Sequence, residues 1–100
     1  MQMDTRQPSL DIFKKSLDRE GFVSPMLGTL GPHEIVRRSP SPQEIFGFVL
    51  EGEVEIILMD EQKIYGKHEI FFIDGTVVFE IHAGSKGLEY LFALKNKGQP

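Results

Sequence analysis

Four residues of this chain have the types that act on small molecules: Arg38, Glu80, His82 and Tyr90. Glu80 and His82 are two positions apart, so in a strand they share a face. Histidine titrates near neutrality, and a carboxyl pushed into apolar surroundings becomes a weaker acid, so such a pair can pass protons. Both would act from one side of a substrate, and acid–base turnover needs a third group opposite them. The guanidinium fork of Arg38 matches a carboxylate or phosphate bidentately. The hydroxyls of Tyr90 and Tyr65 can donate and accept hydrogen bonds.

Other chemistries have no residues to carry them. The chain lacks cysteine, which removes disulfides, thiolate nucleophiles, zinc fingers and iron–sulfur ligation. It has no glycine-rich phosphate loop, no G-x-S-x-G elbow and no H-E-x-x-H. The net charge is −4, and Lys14-Lys15 and Arg37-Arg38 are isolated pairs. Direct nucleic-acid binding and membrane-surface binding therefore have no electrostatic footprint. The start "MQMDTRQPSL" has no basic region followed by an apolar run, and no apolar stretch approaches the ~20 residues of a membrane span. A soluble, cytoplasmic protein is expected.

The elements that must position these residues form one domain, since 100 residues are too few for two. The expected division is a flexible start over 1–8, a single domain over 9–95 and a flexible tail over 96–100. A short helix is predicted from a Ser9 cap to Gly21, with Leu10, Phe13 and Leu17 on one face. From Phe22 onward, short apolar runs alternate with turn residues, as in "HEIVRR", "EIFGFVL", "EVEIILM", "EIFFI", "TVVFEIH" and "LEYLFAL". That spacing predicts an all-β sandwich or barrel. Ile45 to Leu50 is apolar on both faces, with Ile45, Gly47 and Val49 on one and Phe46, Phe48 and Leu50 on the other. A strand of that kind needs two covers. A homodimer is the expected second cover; the N-terminal helix is the alternative.

From Gly31 onward the chain resembles a small single-domain cupin, a jelly-roll β-barrel. "EIFGFVLEGEVEI" is similar to the end of the first cupin motif, with Gly52 at the closing glycine of a tight hairpin. "KHEIFFIDGTVVFEIHAGSKG" and "LEYLFAL" are similar to the second motif and its closing strand. The metal ligands of the family do not carry over. Ile45 stands at the glutamate position, Arg38, Ser39, Pro40 and Ser41 span the two histidine positions, and Val78 stands at the third. No metal and no cofactor are expected, although His33, Glu80 and His82 could form a relocated site. Register with the family implies that Val78, Glu80 and His82 face the barrel interior, with Arg38 across the rim as partner of Glu80. His68, in "YGKHE", reads as a solvated turn residue.

These readings lead to a metal-independent protein that binds a small organic ligand, sugar-like or carboxylate-like, through Arg38, Glu80, His82 and Tyr90. It would serve as a sensor or regulatory accessory acting through a partner, since the chain has no helix-turn-helix of its own. The alternatives are a metal-free acid–base enzyme, of the isomerase, epimerase or lyase class, and a structural dimerisation module. In the last, Ile45 and Val78 would fill the pocket.

Overall fold

The computed structural model describes residues 6–22, 24–38 and 41–96, with side chains from residue 10 onward. The expected loose residues 1–5 and 97–100, and the Ser39-Pro40 part of the proline loop, lie outside the described residues. Helix α1 spans Arg6–Glu20. It begins before Ser9, so residues 6–8 are helical rather than loose. It stops at Gly21, whose φ of +82° is easy only without a Cβ.

Six antiparallel strands follow: β1 (Met26–Leu30), β2 (Ile35–Arg38), β3 (Gln43–Leu58), β4 (Glu61–Tyr65), β5 (Ile70–Asp74) and β6 (Phe79–Asn96). The fold is all-β apart from α1, as the sequence predicts. β3 and β6 are long, pair along most of their length and serve two sheets. The first half of β3 and the second half of β6 run between β5 and β1. Their other halves run between β4 and β2.

Where the strands pass from one sheet to the other, the ladder slips at Val49/Glu51 and again at Gly52/Val54. An inserted residue reverses which side chains face inward. In β3 the inward set changes from Ile45 and Val49 to Val54, Ile56 and Leu58. In β6 it changes from Phe79, Ile81 and Ala83 to Leu88 and Tyr90. Gly52 has a φ of +87°, as its place in "EGE" suggests, but it lies in this bulge and not in a hairpin. A Cβ on Gly52 would overlap the Gly87 carbonyl oxygen of the neighbouring strand. The hairpin comes later, at Met59-Asp60.

Two apolar clusters result. The larger lies between the sheets and includes Val49, Val54, Ile56, Phe71, Ile73, Phe79 and Ile81. The smaller lies between α1 and the outer face of β3, where Phe13 and Leu17 meet Phe48 and Ala93, with Leu10 and Phe46 packed beside them. Phe13 stacks on Phe46 with ring centroids 5.3 Å apart. The second cover of "EIFGFVL" is thus the protein's own helix. The helix leaves Phe72 of β5, on the same face, 49% exposed.

Candidate functional site

A cavity of about 370 Å³ lies within the sandwich. Arg38 from β2 lines it, with Ser41, with Gln43 and Ile45 from β3, and with Phe71 from β5. β6 supplies the rest: Phe79, Ile81, Tyr90, Phe92 and Leu94. The alternation of strands explains the set. Ile81 and Phe79 face inward before the bulge, and Tyr90, Phe92 and Leu94 after it. Backbone bonds tie the Ser41–Gln43 segment to the turn after β5: Ser41 N donates to Gly75 O at 2.8 Å, and Gly75 N donates to Gln43 O at 2.9 Å.

Its walls are aromatic and are set by two glycines. Gly28 lies directly across from Tyr90 in the β1–β6 ladder, and Gly47 directly across from Phe71 in the β3–β5 ladder. A Cβ on Gly28 would stand 2.6 Å from Tyr90 Cζ, and one on Gly47 would overlap the Phe71 ring. Each ring therefore lies over bare backbone. Tyr90 packs near Phe92 and Phe71, at centroid distances of 5.4 and 6.2 Å.

Tyr90 is half-buried, and burial raises its pKa above the tyrosine value of 10.0, against a smaller opposing pull from the Arg38 charge. Its hydroxyl thus stays protonated at neutral pH and can donate a hydrogen bond. Arg38 is exposed at the rim. Two of the four site residues expected from sequence, Arg38 and Tyr90, are brought together here.

Glu80 and His82 do not line this cavity. The expected register was one residue off: Phe79 and Ile81 point inward, and Glu80 and His82 point to the opposite face of the sheet. There Glu80 pairs with Arg37, not Arg38. Arg37 Nε and Nη2 donate to Glu80 Oε2 at 2.9 and 2.5 Å. His82 Nε2 lies 2.7 Å from Glu80 Oε1. The hydrogen bond with His82, then those from Arg37, hold the Glu80 carboxyl below the glutamate value of 4.5, the reverse of the rise that burial would cause. Val78 is 49% exposed and does not line this cavity; Phe79 takes the inward place.

His33 sits in a turn at φ +60° and lines a shallow groove with His82, Glu53 and Glu55. Among the described residues, no three His, Asp or Glu side chains are grouped to hold a metal ion. His68 is not a simple solvated turn residue. It is half-buried, and its ring stacks on Phe48 at 6.1 Å.

Sequence reasoning missed Phe71, Phe79, Phe92, Leu94, Ser41 and Gln43 as cavity residues. For Phe92 and Leu94 a signal was present, because they alternate with Tyr90. No helix among the described residues is long and apolar enough to cross a membrane.

No family model matches the sequence, and no curated protein does. Solved structures do resemble it. An HTH_3 family transcriptional regulator from Vibrio cholerae has a TM-score of 0.65 and 15% identity, over 70% of this chain and 40% of that one. The cupin domain of Cnp3 from Schizosaccharomyces pombe has a TM-score of 0.66 and 9% identity, over 73% of this chain and 55% of that one. The Cupin_2 domain of an XRE family transcriptional regulator from Enterobacter cloacae has a TM-score of 0.60 and 11% identity, over 72% of this chain and 96% of that one. The chain thus spans about half, or less, of the first two. At such identities the likeness speaks for the fold alone, and the fold it shows is that of the cupins.

Proposed function

We propose that this protein binds a compact organic molecule in the cavity between its sheets and acts as a sensor or accessory without turning the ligand over. The observation that carries the reading is the cavity itself. At about 370 Å³ it is not filled by the side chains that stand at the family's ligand positions. It falls near the lower end of the ~300–1,000 Å³ usual for small-molecule sites, and it has the usual make-up of apolar walls with a few polar groups.

The acid–base enzyme reading has less support. It was built on Glu80 and His82, and both lie on the outer face with the carboxylate already paired. A sensor role draws on the resemblance to domains of transcriptional regulators, and a partner would have to read the occupied state.

Protein-observed NMR with a mixture of small organic fragments tests the proposal. Shifts clustered on Gln43, Phe71, Tyr90 and Phe92, and lost in a cavity-filling Leu94→Trp variant, are expected. Shifts scattered over the surface, or unchanged by that variant, would sink it.

A further inference from the structure

The cavity has an asymmetry that bears on what enters it. Among the described residues Arg38 is its one charged lining side chain, and none of them brings a carboxylate to it. The neighbouring Arg37 is committed to Glu80 on the other face. Among the described residues no side-chain hydrogen bond or ion pair engages the Arg38 guanidinium, and the residue is exposed, so its fork is available at the rim. The other walls are Phe71, Phe79, Tyr90 and Phe92 with aliphatic neighbours, and of these Phe71 and Phe79 are buried.

We propose that the ligand is a compact apolar monocarboxylate, ring-bearing or short-chained, with its carboxylate on the Arg38 guanidinium and the Tyr90 hydroxyl and its apolar body against Phe71 and Phe92. This deepens the proposed function and rests on the cavity being a ligand site. Three physical points carry the choice of class. An arginine fork matches a carboxylate in charge and geometry, bidentately. The Tyr90 phenol, kept protonated by its surroundings, adds a second donor to the same anion. A polyhydroxylated ligand would need a partner for each buried hydroxyl, and among the described residues the wall offers Ser41, Gln43 and Tyr90 besides the arginine. The order of the groups also sets the pose: the exposed cation at the mouth leaves the anion near water and sends the ring inward.

The experiment is protein-observed NMR titration of the full chain with benzoate, benzamide and glucose, on the unaltered protein and on Arg38→Gln. Benzoate and benzamide have the same ring and nearly the same size, so charge is the main difference between them. Benzoate is expected to shift the cavity resonances at least about tenfold more tightly than benzamide, the margin of one charge-assisted bidentate contact. Arg38→Gln should bring benzoate down to the benzamide level and leave benzamide unchanged. Equal binding of the two rings, or benzoate binding untouched by Arg38→Gln, overturns the carboxylate assignment while leaving the cavity a ligand site. Glucose binding without benzoate does the same. If no probe shifts the cavity resonances, both the class and the reading beneath it fail.

Discussion

Arg37 and Arg38 are consecutive in β2 and serve opposite faces of one sheet. Arg37 reaches across to its ladder partner Glu80 on the outside, and Arg38, across from Phe79, borders the cavity. The alternation of a strand makes this division, and it separates a structural arginine from one available to a ligand.

The closeness of Arg38 to Tyr90 can be measured without any ligand. Alkaline titration followed by phenolate absorbance should show a tyrosine that ionises above the ordinary range, and Tyr90→Phe should remove it. Arg38→Gln should move that titration further up, since the cation is what opposes the effect of burial. Arg37→Gln should leave it in place. A downward or absent shift in Arg38→Gln would show that the two groups do not face one another.

Tyr90 also sets an alkaline limit on stability. Its folded pKa is raised, so the folded state holds the phenolic proton more tightly than the unfolded chain. The stability that follows is complete below the unfolded value of 10.0 and is lost as pH rises through the higher folded value. Urea midpoints measured across that range should fall in the unaltered protein and fall less in Tyr90→Phe.

Glu80 works in the opposite direction. Its folded pKa is depressed by His82 and Arg37, so its contribution is present above the unfolded value of 4.5 and is lost as pH falls through the lower folded value. Glu80→Gln should flatten the acid limb of the urea midpoint. It should leave benzoate or any other cavity ligand bound as before, because the carboxylate lies on the far face.

Gly47→Ala should destabilise the fold by about 1–3 kcal/mol through overpacking, because the new methyl overlaps a Phe71 ring that is only 2% exposed. Urea denaturation measures it. Adding Phe71→Leu should recover part of the loss; no recovery would mean that the clash is not with this ring.

Phe13→Ala tests the helix as a cover. Phe13 is fully buried against Phe46 and Phe48, and truncating a core phenylalanine costs about 3–5 kcal/mol. A loss below ~1 kcal/mol by chemical denaturation would show that α1 is not what shields that face.

The helix was readable because Leu10, Phe13 and Leu17 recur at helical spacing, and the doubly apolar strand because neither of its faces is polar. What covered that strand was not readable, since a residue pattern states the need for a partner and not its identity. Glu80 is more instructive. In "FEIHA" the apolar residues Phe79, Ile81 and Ala83 alternate with Glu80 and His82, and simple alternation places the polar pair outside. The motif register, carried over from a family whose ligands are absent here, pointed the other way by one residue. Gly28 under Tyr90 and Gly47 under Phe71 were beyond reach, because each pairing joins strands far apart in the chain.

The double duty of β6 has a consequence for how the molecule comes into being. Among the described strands, β1 and β2 hydrogen-bond to β6 and to nothing else. On the ribosome, residues 26–38 therefore have no strand to join until residues 79–96 have emerged. Pairings between such distant segments form slowly, and an unpaired edge can meet another nascent chain in the meantime. The vulnerable moment of this protein is its synthesis, and a chain truncated before β6 would leave both early strands with open edges.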